Sequence, residues 1–139
     1  MIFENEIDVT NETIFKDKLR VLWNCDFMKL PINYSLDFAC MRGKDILAWL
    51  ELKCRKITSY KYQSTMINLD KWIHSLQLIE YTGLPVFLAV RFTDCDMFCE
   101  ISRDLKYNIV FQKQPLKSRI YRNDIAPKIL ISLKQFQQI

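Results

Sequence analysis

The sequence contains few of the residues that mark secreted, zinc-binding or membrane-spanning proteins. Of its 139 residues, 2 are glycine, 4 are proline and 1 is histidine. The 5 cysteines form an odd set without a Cys-x-x-Cys pair, so neither a disulfide framework nor a zinc site is predicted. The N-terminus carries acids where a secretory signal needs basic residues, and no apolar run approaches the roughly 20 residues of a membrane span. We therefore expect a cytoplasmic protein with reduced thiols and no membrane partner.

Apolar and aromatic residues, in contrast, are plentiful. Hydrophobic residues make up 50% of the chain, including 9 Phe, 6 Tyr and 3 Trp. This composition excludes a disordered or collagen-like chain. No composition shift, linker or repeat divides the sequence, so residues 1–139 are expected to form a single domain. A chain of this length buries roughly two-thirds of its unfolded surface and needs no disulfide to hold its core.

Charge is unevenly distributed along the chain. Residues 1–52 carry 6 basic and 9 acidic side chains, a net charge of −3, whereas residues 101–139 carry 8 and 2, a net charge of +6. An acidic front and a basic end suit a protein that holds cations in one place and phosphates in another. A solvated basic tail would produce the same pattern.

Hydrophobic periodicity and turn signals predict an α/β order of elements. In chain order these are a helix at 11–24, strands at 33–41 and 46–54 joined by the turn Arg42–Asp45, a helix at 68–82, strands at 86–92 and 97–101, and a short strand or helical turn at 128–133. The apolar stripe of the first helix comprises Phe15, Leu19, Leu22 and Trp23. Thr10 or Asn11 is predicted to cap that helix, and Asn68 and Gly83 are predicted to cap the second. This order predicts a single-domain α/β sandwich, a central mixed β-sheet flanked by helices.

The predicted hairpin places two acids opposite one another. A three-residue loop at 43–45 would pair Arg42 with Ile46. Continuing that register brings Asp37 opposite Glu51, with Cβ atoms roughly 5 Å apart on one face. A two-residue loop would shift the pairing by one residue and turn Asp37 to the opposite face.

Two opposed carboxylates in apolar surroundings repel each other, and a divalent cation removes the conflict. Mg²⁺ is bound by one or two carboxylates, with water completing its octahedron. Strand alternation puts Lys53 on the face of Glu51, and the Leu52 carbonyl becomes a further candidate metal ligand. Two metal-binding acids with an adjacent ammonium suit phosphodiester hydrolysis, in which metal and lysine stabilise developing charge.

The tripeptide Glu51-Leu52-Lys53 is not specific by itself. Asp104-Leu105-Lys106 has the same pattern in a turn-like context without an opposed acid. The alternative interpretation of the first copy is a strand end whose Glu51 and Lys53 pair with solvent-side charges. The hairpin partner Asp37 is what favours a metal site.

Asp37, thirteen intervening residues and then Glu51-Leu52-Lys53 resemble the motif of the PD-(D/E)XK nuclease superfamily. The resemblance covers roughly residues 10–100 and is closest to small phage-type members, which have a helix like INLDKW (67–72) after the lysine strand. Leu36 replaces the proline of the motif. The resemblance implies a restriction-endonuclease-like core of order αββαββ and an enzyme that cuts DNA with Mg²⁺ or Mn²⁺.

Two further residues gain a candidate role from the resemblance. Glu12 shares the apolar stripe of the first helix, where members of the superfamily often place another metal-binding or water-orienting carboxylate; an acid that stabilises the helix N-terminus is the alternative. Lys71, near the start of the second helix, is a candidate phosphate contact or second active-site lysine. A solvated lysine is its alternative. His74 matches no candidate site.

Polar residues that follow the lysine strand are candidates for nucleic-acid contacts. The basic ones would contact backbone phosphates, and the others the substrate more generally, unless all of them are simply solvated. They are Arg55, Lys56, Lys61, Tyr62 and Gln63. A second basic group could form an arm over nucleic acid, and it comprises Lys113, Lys117, Arg119 and Arg122, beside Pro115 and Tyr121.

Two alternative functions share this reading of the fold. A Holliday junction resolvase would act as a homodimer on branched DNA, cutting two strands symmetrically. A non-catalytic nucleic-acid-binding module would bind DNA in a salt-dependent manner without cleaving it. The resemblance also suggests a phage-encoded protein that acts in the host cytoplasm.

Overall fold

The computed structural model describes residues 6–113 and 125–139, and it confirms a mixed α/β fold with two helices. The helices are α1 (Glu6–Trp23) and α2 (Leu69–Thr82). The strands are β1 (Asp26–Lys29), β2 (Phe38–Arg42), β3 (Asp45–Cys54), β4 (Ser64–Asn68), β5 (Val86–Arg91), β6 (Asp96–Ile101), β7 (Asn108–Lys113), β8 (Ile125–Ser132) and β9 (Gln137–Gln138). Short 3-10 turns occupy Ile32–Tyr34 and Leu133–Gln135.

The strands form two sheets. The larger is six-stranded and mixed, in the order β1-β2-β3-β5-β6-β9, and β3 and β5 are its parallel pair. The smaller is antiparallel, in the order β4-β8-β7. The connection from β3 to β5 passes through β4 and α2, because parallel neighbours require a crossover segment between them. The carboxyl ends of β3 and β5 consequently lie side by side.

Alternating residues of β3 separate two hydrophobic cores. Ala48, Leu50 and Leu52 pack with Phe15 and Leu19 of α1. Trp49, on the other face of β3, belongs to the core that contains Trp72 of α2 and the inner residues of β4 and β8. The central sheet therefore has α1 on one face, and α2 with the smaller sheet on the other. Glu51 and Lys53 share the α2 face with Trp49, because side chains alternate along a strand.

Helix α2 agrees closely with its predicted bounds. It starts after Asn68 and ends at Gly83, which has the left-handed φ of 69° and whose N–H donates to the Ile79 carbonyl at 2.9 Å. The Asn68 side chain makes no capping hydrogen bond and instead accepts one from the Lys128 ammonium.

Helix α1 differs from its prediction at both ends. It begins at Glu6, so Thr10 and Asn11 lie inside the helix and not at its N-terminus. Leu22, predicted to face the core, is 56% exposed, whereas Phe15 and Leu19 are fully buried.

Several strand predictions needed correction. The strand expected at 33–41 is interrupted by a 3-10 turn and by Ser35, whose φ of 67° is incompatible with a strand, so β2 starts at Phe38. The segment 128–133 lies mainly in β8 and is a strand. β1, β4, β7 and β9 were not predicted from the sequence. Neither described helix has the length and apolarity that a bilayer crossing demands.

Candidate active site

The β2–β3 hairpin has a shorter loop than predicted, yet its register is the predicted one. Arg42 pairs with Asp45, so the loop contains two residues and the predicted three-residue loop is wrong. The pairing then shifts between Met41–Ile46 and Cys40–Ala48, which leaves Leu47 as a β-bulge. The bulge supplies the residue that the loop lacks. Phe38 consequently pairs with Leu50, as the longer loop would also have required.

Asp37 lies one residue before β2 and is fixed to β3 on either side of Glu51. Its backbone N–H donates to the Leu50 carbonyl at 3.2 Å. Its carboxylate Oδ2 accepts a hydrogen bond from the Leu52 N–H at 2.9 Å. The register of the hairpin continues to place Asp37 across from Glu51, and the two carboxylates interact electrostatically.

Glu51 is buried and only half satisfied. It is 1% exposed, and its Oε1 accepts a hydrogen bond from the Lys71 ammonium of α2 at 2.5 Å. Its Oε2 is buried without a hydrogen-bond partner among the described residues. Burial raises the pKa of Glu51 to about 7, and the Asp37 charge adds to that rise while Lys71 opposes it.

Lys53 lies two residues further along the same face. Burial lowers the pKa of its ammonium to about 8. The Glu51 charge opposes this shift, whereas the neighbouring cations Arg55 and Lys71 add to it. A lysine with such a pKa exchanges a proton near neutral pH more readily than an exposed one.

The oxygen donors at this site fit a hard divalent cation that takes only a few of its ligands from the protein. Asp37 and Glu51 offer carboxylate oxygens, and the orphaned Glu51 Oε2 is a buried acceptor that a cation would satisfy. Within residues 6–113 and 125–139, no group of three or more acidic, histidine or cysteine side chains is placed to hold a metal. Such a site therefore requires water or phosphate oxygens to complete the coordination.

Glu12, the predicted additional carboxylate, has a different partner. It is paired with the Lys29 ammonium at 3.7 Å, and that ammonium also lies 5.3 Å from the centroid of the Phe38 ring. Phe38 belongs to the α1 core, on the face of the sheet opposite Trp49. The structure thus brings Asp37, Glu51, Lys53 and Lys71 together, and the ion-pair partner that it shows for Glu12 is Lys29.

The predicted nucleic-acid contacts occupy the segment between β3 and β4. Arg55 is partly buried, and its Nη2 donates to the Met66 carbonyl at 3.3 Å. Lys56 is exposed. Lys61 is also exposed, with its ammonium 5.4 Å from the centre of the Tyr62 ring. Gln63 has a left-handed φ of 56°, and its carbonyl accepts from the Leu133 N–H at 3.0 Å.

The remaining sequence candidates lie away from this cluster or outside the described residues. The second tripeptide, Asp104-Leu105-Lys106, lies between β6 and β7, and both of its charged residues are exposed. His74 is exposed on α2. Lys117, Arg119 and Arg122 lie outside the described residues, as do Pro115 and Tyr121, and of Lys113 only the backbone is described.

Two features of this region had no sequence signal. β4 is not among the predicted strands, and its Thr65 and Ile67 are buried. Lys128 of β8 contacts Asn68 at the start of α2, across 60 residues of sequence. Only the pairing of β4 with β8 brings them together, and such long-range pairing leaves no local pattern.

Comparisons with known proteins agree with this architecture. A family model described as "Phage putative PDDEXK endonuclease" matches residues 1–139. Among solved structures, a Holliday junction resolvase from the archaeal hyperthermophile Archaeoglobus fulgidus is similar with a TM-score of 0.55 and 13% sequence identity, covering 93% of this chain and 92% of that chain. No curated protein has a significantly similar sequence. At that identity the structural likeness shows the fold alone, whereas the family model spans every residue. The predicted resemblance is thereby confirmed, and the chain belongs to the phage PDDEXK endonuclease family.

Proposed function

We propose that this protein is a deoxyribonuclease that hydrolyses DNA phosphodiester bonds with Mg²⁺ or Mn²⁺. The observation that carries the proposal is the convergence of Asp37, the half-satisfied Glu51 and two lysines at the carboxyl end of β3. A buried carboxylate with one unpartnered oxygen is costly unless a cation joins it. Membership of an endonuclease family supports the same chemistry. We place the activity in the cytoplasm of a phage-infected host.

In this proposal Asp37 and Glu51 hold the metal, and the Leu52 carbonyl adds a neutral ligand. The Leu52 N–H fixes the orientation of the Asp37 carboxylate through the 2.9 Å hydrogen bond. When bound, the metal would polarise the scissile phosphate and lower the pKa of a water molecule. Glu12 is a candidate only if its carboxylate leaves Lys29, so we give it a minor role in orienting water.

The two lysines would act on the reacting groups. Lys53, with its pKa of about 8, can accept a proton from the attacking water or donate a hydrogen bond to the phosphate oxygens. Lys71 holds one oxygen of Glu51 and directs the other away from itself. It also brings a positive charge to the position where the transferring phosphoryl group gains negative charge.

The segment after β3 would carry the DNA backbone past the metal. Arg55, Lys56 and Lys61 provide cations for its phosphates, and Gln63 provides an amide. These contacts are independent of base sequence and would weaken as salt concentration rises.

The test is cleavage of supercoiled plasmid with Mg²⁺ or Mn²⁺. Glu51→Gln and Lys53→Ala should each lose at least about 100-fold in rate. Asp104→Asn and Lys106→Ala are the matched controls, because they change the second copy of the same tripeptide and should keep wild-type rates. Salt-dependent DNA binding by wild type without cleavage would instead favour the non-catalytic binding module.

A second candidate is a junction resolvase that acts as a homodimer. The similarity of the fold to the archaeal resolvase over 93% of the chain motivates it. A resolvase would run as a dimer in size-exclusion chromatography with light scattering and would cleave a four-way junction in preference to linear duplex. A monomer that cleaves linear and branched DNA equally would rule out this candidate while leaving the nuclease assignment intact.

A further inference from the structure

A cleft of about 460 Å³ opens between the two sheets, beside the carboxyl ends of β3 and β5. The larger sheet contributes Arg55 and Phe92, which follow those two strands. The smaller sheet contributes Ser64 and Met66 of β4 and Gln112 of β7. Cavities that bind small organic groups typically measure roughly 300 to 1,000 Å³, so this cleft has room for one nucleotide.

The cleft adjoins the candidate active site on two sides. Arg55 comes two residues after Lys53, and the two side chains are close enough for the charge of Arg55 to affect the pKa of Lys53. On the opposite wall, Met66 accepts the hydrogen bond of Arg55 and lies in β4, which leads directly into α2 and Lys71. A strand of DNA whose phosphate lies at Lys53 therefore has its neighbouring nucleotide within reach of the cleft.

The lining suits an aromatic base that carries polar edges and a phosphate. A guanidinium has five N–H donors, and among the described residues the Arg55 side chain uses one nitrogen, Nη2, for the bond to Met66. Tyr62 provides an exposed aromatic ring, and the largely buried Phe92 adds apolar lining. Ser64 and Gln112 provide hydroxyl and amide groups. No acidic residue is found among the described residues that line the cleft, so nothing there opposes a phosphate.

The rim of the cleft is preorganised. Tyr62 is 65% exposed, and the Lys61 ammonium lies 5.4 Å from the centre of its ring. The next residue, Gln63, adopts a left-handed φ of 56° that non-glycine residues rarely take. Its carbonyl accepts a hydrogen bond from the N–H of Leu133, which directly follows β8 of the smaller sheet. Such local strain concentrates at binding sites, where it positions a side chain before the ligand arrives.

We propose that this cleft receives an unpaired nucleotide adjacent to the scissile phosphate, with Tyr62 stacking on the base and Arg55 binding its polar edge or phosphate. The inference rests on the proposed function, which supplies the DNA strand. It makes the preferred substrate a DNA with a single-stranded or extruded nucleotide. Stacking on an aromatic side chain tolerates every base, so this preference is structural and carries no sequence specificity.

The experiment measures DNA binding in EDTA by fluorescence anisotropy, so that no cleavage intervenes. The ligands are a paired duplex, the same duplex with one unpaired 2-aminopurine, and free 2-aminopurine deoxynucleoside monophosphate. Wild type should bind the duplex with the unpaired nucleotide about tenfold more tightly than the paired one, the factor expected for one stacked base. The free nucleotide should bind far more weakly than either DNA.

Tyr62→Ala should abolish the tenfold preference, so that the two duplexes bind with equal affinity. Tyr60→Ala is the matched control, since Tyr60 is 70% exposed in the same loop and does not line the cleft. Arg55→Gln should weaken binding of the unpaired nucleotide further, and Arg55→Lys should recover part of the loss. Both tyrosines are largely exposed, so their replacement tests the cleft without testing the core.

Equal affinity of wild type for the two duplexes overturns the inference, as does an equal loss in Tyr60→Ala and Tyr62→Ala. Tighter binding of the free nucleotide than of DNA also overturns it, because the cleft would then serve a small molecule. The proposed nuclease is tested separately by metal-dependent cleavage. If the protein binds unpaired nucleotides preferentially but never cleaves DNA, the inference about the cleft stands and the proposed nuclease activity is refuted.

Discussion

The ammonium of Lys71 lies 2.5 Å from Oε1 of Glu51, although 20 residues separate the two along the chain. Lys71 is in the first turn of α2 and Glu51 is near the end of β3, so the docking of a helix on a sheet determines the contact. The pair leaves Glu51 Oε2 buried without a hydrogen-bond partner among the described residues. In the metal-free protein the negative charge of Glu51 is therefore compensated partly by the Lys71 ammonium and partly by protonation.

The raised pKa of Glu51 predicts how stability depends on pH in the absence of metal. Its pKa of about 7, against an ordinary 4.5, means that the folded state binds the proton more tightly than the unfolded chain. The free energy of unfolding should therefore fall as pH rises from about 4.5 through 7, by on the order of 3 kcal/mol. Glu51→Gln should remove most of this fall and be the more stable protein above pH 7. Urea unfolding in EDTA measures it, and Glu100→Gln at an exposed position is the control. Parallel pH profiles for wild type and Glu51→Gln would contradict the assignment.

The lowered pKa of Lys53 predicts that the free energy of unfolding changes with pH in the opposite direction, in a higher pH range. Its pKa of about 8, against an ordinary 10.5, means that the unfolded chain binds the proton more tightly. The free energy of unfolding should rise between about pH 8 and 10.5 from this group. Lys53→Met should flatten that rise, whereas Lys44→Met in the exposed hairpin turn should not. The same urea titrations provide the measurement, and an unchanged slope in Lys53→Met would refute a buried ammonium.

Divalent metal should stabilise the folded protein through the two carboxylates. At a free Mn²⁺ concentration of a hundred times Kd, the gain is about 2.7 kcal/mol, because metal binds the folded state alone. Asp37→Asn and Glu51→Gln should lose this gain, and Asp104→Asn should keep it. The increase in Tm with Mn²⁺, together with calorimetric titration, measures the effect. Equal Mn²⁺ stabilisation of all four proteins would place the metal elsewhere.

Replacing Lys71 should separate metal binding from turnover. Lys71→Met removes a cation from Glu51, so Mn²⁺ should bind about tenfold more tightly as the competing charge disappears. The same change removes a positive charge from the transition state, and the cleavage rate at saturating metal should fall about 100-fold. Cleavage assays across a Mn²⁺ titration give both quantities. If Mn²⁺ affinity and cleavage rate both stay at wild-type values, Lys71 has no role beyond structure.

Gly83 offers a test of the fold that does not involve the site. Its φ of 69° ends α2, and a Cβ added there would meet no atom within 4 Å. Gly83→Ala should therefore cost only the backbone strain, about 1 kcal/mol in the free energy of unfolding. Gly83→Asn should cost less, since asparagine tolerates the left-handed region. Urea unfolding measures these differences. A Gly83→Ala protein that is more stable than wild type would contradict the role of Gly83 as the C-cap of α2.

Sequence patterns predicted the elements whose determinants are local. The bounds of α2 follow from the periodic apolar residues between Asn68 and the terminating Gly83, and the apolar run of β3 is uninterrupted. Glu51 and Lys53 share a face because alternation along one strand needs no partner. The mixed α/β order could therefore be predicted before any tertiary contact was known.

Features that depend on distant partners could not be predicted in this way. β4 and β7 are defined by pairing with β8, and the separation of 60 residues between Asn68 and Lys128 leaves no periodic signal. Glu12 lies on the expected helix, but only the position of β1 shows that Lys29 pairs with it. The contact of Lys71 with Glu51 likewise depends on how α2 docks on the sheet. From the sequence alone, Lys71 could be either an active-site lysine or a solvated one.

Because of the Leu47 bulge, the number of residues between Asp37 and Glu51 depends on two features, the length of the turn and the presence of the bulge. A relative could gain one residue in the turn and lose the bulge, and neither carboxylate would move. It could equally keep the bulge and lengthen β2 and β3 by the same number of residues, which changes the count between the two acids and keeps their pairing. Alignments that penalise every insertion between Asp37 and Glu51 would then misplace the first acid in homologous chains. Searches for this site should allow compensating insertions and deletions within the hairpin and should require conservation of facing positions.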